Sequence, residues 1–175
     1  MTRNIIITGA MGSGKSTVLK LLKAEGFAVV EEPAREILAE QRSIEDEGVP
    51  EKNPKLFIQL LLSRAIYHYK QMQGTYDTVI FDRGIPDNIA YAQLFKLHYF
   101  PAHHAAKLYP YDTNVFIFPA WEEIYTTDDE RIMSFEAAKA FGDDVQKIYK
   151  EYGYNLIEVP CISPEERARF IKERI

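Results

Sequence analysis

The sequence predicts a three-layer α/β domain built on a parallel sheet, and three observations carry that prediction. Strand-like and helix-like patterns alternate along the whole chain. The strand candidates are apolar throughout rather than alternating, as in parallel sheets covered by helices on both faces. The first of them runs straight into Gly9-Ala10-Met11-Gly12-Ser13-Gly14-Lys15-Ser16, a complete G-x-x-x-x-G-K-[ST] phosphate-binding loop.

Each element follows from local pattern. Residues 4–8 are a β-branched apolar run, the first strand. Residues 17–23 place apolar side chains at helical spacing, so the loop sits between strand and helix, the context that confirms the motif. A short strand is expected at 28–30, after Gly26. A helix is expected at 33–41, with Pro33 in a tolerated first-turn position. Residues 42–53 are polar and charged and read as a loop. Leu56, Phe57, Leu60, Leu61, Ile66 and Tyr67 recur at helical spacing within 54–73. Residues 78–81 form a buried strand ending in Asp82, and 86–97 a helix. The connection 98–112 carries no assigned element. Residues 113–118 are a strand stopped by Pro119, and 134–152 a helix. The last strand is expected at 155–159 and the last helix at 164–172. Successive parallel strands need these helices as right-handed crossovers. No linker or repeat interrupts the pattern, so residues 1–175 are expected to form one domain, with a lid-like segment at about 119–134.

Composition narrows the function. The chain has 175 residues, 46% apolar and 27% charged, with a net charge of −5. That balance offers no general basic surface to nucleic acid or to an anionic membrane. One cysteine, Cys161, rules out an internal disulfide and fits a reducing, cytoplasmic setting. It is expected to be a buried or neutral thiol. No signal peptide is recognised, and no apolar run reaches membrane-spanning length.

The phosphate loop sets the chemistry. Its glycines let backbone N–H groups turn toward phosphate oxygens. Residues Gly9, Ala10, Met11, Gly12, Ser13, Gly14, Lys15, Ser16 and Thr17 are therefore the expected nucleotide site. Lys15 supplies a point charge for the β- and γ-phosphates, Ser16 a hydroxyl for Mg²⁺, and the helix macrodipole faces the same anion. Asp82, a carboxylate at the C-terminal end of an apolar strand, completes a metal site with Ser16. The alternative for Asp82 is a turn or cap residue. Arg83 has a planar fork suited to a phosphoryl group, or serves as a salt bridge to Asp82 or Asp87. Asp87 is grouped with the acceptor-side residues.

A kinase also needs a carboxylate to orient the acceptor hydroxyl and receive its proton. Glu32, at the end of the second strand, is the candidate. Arg35, a helical turn further on, either fixes an anionic group of the acceptor or pairs with Glu32. In the lid-like segment, Arg131 is the cation that closure would bring to the transferring phosphoryl, and Trp121 packs on the acceptor or anchors the loop. The 160–164 turn borders an adenine ring or is a plain strand-to-helix turn capped by Ser163. His98, His103 and His104 lack matching ligand spacing and read as surface or interhelical residues.

Taken together, these residues resemble a recognised family: small predicted AAA-type ATPases that are P-loop kinase-like domains. Its members are similar to the ribosylnicotinamide kinase domain and, more distantly, to thymidylate and deoxynucleoside kinases. The resemblance rests on the blocks at 7–16, 30–37, 81–87 and 128–135. It implies the P-loop NTPase fold, with a five-stranded parallel sheet in the order 2-3-1-4-5. It also implies Glu32 as the acceptor-side carboxylate, Asp82-Arg83 as an Asp-Arg pair, and Arg131 as the lid arginine. The lid-like segment carries one arginine where many nucleotide kinases carry several. The expected activity is ATP- and Mg²⁺-dependent phosphoryl transfer to a small metabolite: a nucleoside, nucleotide or cofactor precursor. The alternative is a regulatory ATPase whose nucleotide state alters binding of a protein partner, with the 42–53 loop as the candidate surface. No Asn-Lys-x-Asp sequence is present, which favours ATP over GTP. Homo-oligomer formation stays open.

Overall fold

The computed structural model of the chain describes residues 2–126 and 133–175. Its strands are β1 (Arg3–Gly9), β2 (Ala28–Val30), β3 (Thr78–Asp82), β4 (Asn114–Phe118) and β5 (Asn155–Glu158). They form one parallel sheet in the order β2-β3-β1-β4-β5. The helices are α1 (Lys15–Ala24), α2 (Pro33–Ser43), α3 (Pro54–Met72), α4 (Asp87–Leu94), α5 (Phe100–Leu108), α6 (Phe135–Glu151) and α7 (Pro164–Lys172). The expected architecture and strand order are those observed.

Period-two alternation explains why the strands are apolar throughout. Ile5 and Ile7 of β1 pack with Val18, Leu22 and Ile171 on the α1/α7 face. Ile6 points the other way and packs with the cluster that includes Phe57, Ile89 and Phe141 of α3, α4 and α6. The central residues of β1 each meet a helix layer on their own side, so polar residues have no solvent face to occupy there, whereas Arg3 and, on the edge strand β5, Asn155 and Glu158 are exposed.

Two elements differ from expectation. The helix expected over 86–97 ends at Leu94, where Lys96 turns the chain at φ 56. The connection without an assigned element contains α5. Its buried side chains are Ala102, Ala105 and Ala106, too small to stand out as a hydrophobic stripe.

Register brings the functional segments to one edge. Ile7 lies opposite Asp82, and Gly9 opposite Phe118. Strands β1, β2, β3 and β4 therefore end together, and the loops that follow them converge. Gly9 marks the tightest approach. It sits at φ 124, and a Cβ there would lie 2.2 Å from the Phe118 carbonyl oxygen.

Candidate active site

The loop after β1 is shaped by left-handed glycines at Gly12 (φ 73) and Gly14 (φ 85), the latter directly preceding α1. The Lys15 ammonium folds back to donate to the Ala10 carbonyl at 2.9 Å, and the Ser13 hydroxyl donates to the same oxygen at 2.7 Å. Burial, reinforced by the Arg83 guanidinium, lowers Lys15 to about 8 against the pull of Asp82, Glu32 and Asp87. Ser16 and Thr17 stay exposed at the start of α1.

Asp82 ends β3 fully buried beside this loop. Its Oδ1 has no hydrogen-bond partner among the described residues. Burial raises its carboxyl to about 6 despite Lys15. An orphaned buried carboxylate oxygen and an open Ser16 hydroxyl form a hard-oxygen donor set, which suits Mg²⁺. No cluster of three or more His, Cys, Asp or Glu suited to a metal occurs among the described residues.

Arg83 follows at φ 69, a left-handed conformation unusual for a long side chain. That turn sends its guanidinium back over the ends of β1 and β2. Its Nε donates to Glu32 at 2.7 Å. Its Nη1 donates to the Gly9 carbonyl at 3.0 Å, to Asp87 at 3.1 Å and to Thr8 Oγ1 at 3.3 Å. The plane also lies over the rings of Phe141 and Tyr91, 5.2 and 5.7 Å from their centroids. The Tyr91 hydroxyl donates to the same Glu32 oxygen. Burial alone would raise Glu32, but Arg83, Lys15 and the Tyr91 hydrogen bond bring it down to about 2.

These elements enclose a cleft of about 610 Å³. One end is walled by the phosphate loop with Trp121, Ile124, Ile162 and Arg167. The other holds Glu32 and Arg35 among Leu38, Phe57, Tyr91 and Phe95.

The expected site residues mostly meet here. Gly12 to Thr17, Glu32, Arg35, Arg83 and Trp121 all line the cleft. Arg35 is exposed and makes no ion pair among the described residues; Glu32 takes Arg83 instead. Trp121 donates its indole N–H to Glu123 at 3.3 Å. Asp87 is not in the lining. It is buried, with Thr8, Arg83, Tyr149 and the Gly84 N–H all donating to its two oxygens. It anchors the network behind Arg83. Arg131 lies outside the described residues. Of the two expectations for Cys161, buried or neutral, burial does not hold: it is exposed in the turn after β5. The 160–164 turn is capped as expected and also faces the cleft. Ser163 and Glu166 form a capping box, while Ile162 and Pro164 line the cleft. His103 is interhelical, at 2.8 Å from the Tyr152 hydroxyl.

Two contributors escaped sequence reasoning. Tyr91 lies one turn after Asp87 on α4, so its i, i+4 spacing was the available signal. Arg167 on α7 donates to the Ser13 carbonyl at 2.8 Å, 154 positions away in sequence, and nothing local marks it.

Comparisons with known proteins agree with this fold. A family model described as an AAA domain matches residues 4–167. No curated protein sequence gives a significant match. Among solved structures, deoxyadenosine kinase from M. mycoides with bound dATP superposes with a TM-score of 0.70 at 16% identity, covering 98% of each chain. The NadR protein in complex with NR gives 0.69 at 15% identity, over 98% of this chain and 51% of that one. Thymidylate kinase from Candida albicans gives 0.65 at 18% identity, over 98% and 90%. At these identities the shared property is the fold.

Proposed function

The chain belongs to the AAA domain family, and on that premise we propose that it is an ATP- and Mg²⁺-dependent phosphotransferase acting on a small metabolite. The observation that carries the reading is the Arg83 bridge, which fixes an ionised carboxylate, Glu32, beside a complete phosphate loop in one cleft.

The assigned roles follow from position and charge. The loop N–H groups and Lys15 take the donor phosphates. Asp82 and Ser16 would hold Mg²⁺, which when bound would neutralise charge on the donor phosphates. Glu32 accepts a hydrogen bond from the acceptor hydroxyl and aims its oxygen in line. A carboxyl held at about 2 is a weak base, so Glu32 acts mainly by orientation and takes the proton late, in keeping with a loose transition state. Arg83 keeps Glu32 ionised and adds positive charge beneath the transferring group. Arg131 is assigned to the lid, where closure would bring a second cation. The wall of Leu38, Phe57 and Phe95, with Arg35 at its edge making no ion pair among the described residues, suits a ring-bearing acceptor such as a nucleoside, nucleotide or cofactor precursor. No described helix is long and apolar enough to cross a membrane, and a cytoplasmic enzyme is part of this reading.

ADP release from Mg·ATP across a panel of nucleosides, nucleotides and vitamin precursors tests it, with Lys15→Ala as control. Release stimulated by one acceptor and lost in the variant supports the kinase. Slow release indifferent to every acceptor overturns it in favour of a regulatory ATPase.

A further inference from the structure

Arg167 is a buried guanidinium without an acidic partner among the described residues. Its one hydrogen bond among the described residues runs from Nη1 to the Ser13 carbonyl at 2.8 Å, and its Nε and Nη2 have no partner among them. Its flat face lies 4.4 Å from the Phe118 ring centroid and 5.4 Å from that of Trp121. It packs against the phosphate loop so closely that a Cβ on Gly14 would lie 2.9 Å from Nη1. A buried cation with one neutral acceptor is a poor stabiliser: the ring contacts offset only part of its desolvation.

The peptide linking Ser13 to Gly14 explains what the cation does. In a planar trans peptide the C=O and the following N–H point in opposite directions. Holding the Ser13 carbonyl on Arg167 therefore turns the Gly14 N–H away from α7, and that N–H has no acceptor among the described residues. We propose that Arg167 is a positioning residue for the donor nucleotide, fixing the Ser13–Gly14 peptide so that its N–H receives a phosphate oxygen. The bound polyphosphate in turn supplies the negative charge that the buried guanidinium lacks. This rests on the kinase reading of the loop, but it concerns the polyphosphate alone, not the base or the acceptor.

The test compares Mg·ATP with Mg·tripolyphosphate, which has neither base nor ribose, by calorimetric binding to the full chain. Arg167→Met keeps the apolar stem and removes the charge; Arg167→Lys keeps the charge. Arg167→Met is expected to weaken both ligands by a similar factor, about ten- to thirtyfold for one lost charge-assisted hydrogen bond. The melting temperature of its ligand-free form should be unchanged or higher, which a structural role would not give. Arg167→Lys should recover most of the affinity for both. Weakening of ATP alone would place the contact on the base or ribose and overturn the proposal. Unchanged binding of both ligands, or failure of Arg167→Met to fold, would also overturn it. If the unaltered protein bound neither ligand, the kinase reading would fall first, and that result is distinct from a variant-specific loss.

Discussion

Replacing Asp82 with Asn is expected to stabilise the ligand-free protein while removing its response to magnesium. In the folded chain this carboxyl is buried, has no partner for its Oδ1 among the described residues, and is raised to about 6 from an ordinary 3.8. The protonated form is thus the one the fold prefers. Its contribution is full below pH 3.8 and is lost as pH rises through about 6. At about 1.4 kcal/mol per pH unit, the interval between those values makes the ionised group roughly 3 kcal/mol unfavourable at pH 8. Asparagine mimics the neutral form, but Lys15 then loses one of the carboxylates that favour its charge. The net gain should be about 1–3 kcal/mol. Urea unfolding without nucleotide, at pH values from 4 to 8, measures it. The variant and the unaltered protein should be nearly equal near pH 4 and diverge as pH rises. Adding Mg·ATP should then raise the midpoint of the unaltered protein and barely move that of the variant. A variant less stable at pH 8, or a gap independent of pH, would refute the argument.

Three other outcomes follow from the same geometry. Glu32→Gln should lower phosphoryl transfer by about a hundredfold or more while changing ATP affinity little; equal losses in kcat and ATP binding would make Glu32 structural. Tripolyphosphate binding without magnesium should weaken as pH rises through about 8, because the buried Lys15 is lowered to that value and must be charged to hold the anion. Calorimetry across pH 7–10 would show it, and a flat profile would exclude Lys15 as the titrating contact. Gly9→Ala should cost at least about 3 kcal/mol in urea unfolding, since the new Cβ meets Phe118 backbone at 2.2 Å and φ is 124. Gly153→Ala, also at positive φ but with nothing within 4 Å, should cost only about 1–2 kcal/mol.

The phosphate loop and the parallel sheet were legible because both depend on local spacing: Gly9 to Ser16 form one contiguous motif, and apolar runs mark the strands. The strand order was not local, and came through the family resemblance. α5 was missed because alanine is a weak marker of burial. At the site, Glu32 and Asp82 were readable as carboxylates at strand ends. The burial of Asp87 was not legible, because its partners Tyr149 and Thr8 lie 62 and 79 positions away. Arg167 and the Arg83–Glu32 bridge likewise join distant segments that no local pattern pairs. The exposure of Cys161 was not legible either, because small thiols are usually covered, whereas its turn after β5 is not.

The many-handed grip of Arg83 bears on how such a domain changes its substrate. One guanidinium joins Gly9 of the donor loop, Glu32 of the acceptor side and Asp87 behind them. On the proposed kinase reading, a substitution anywhere in that joint would disturb both reactants at once, and so would leave no graded route to a new specificity. The side chains at Leu38, Phe57 and Phe95 line the cleft without belonging to the joint. They are the positions where selection, or a designer's library, can reshape the acceptor pocket while the floor beneath it keeps working.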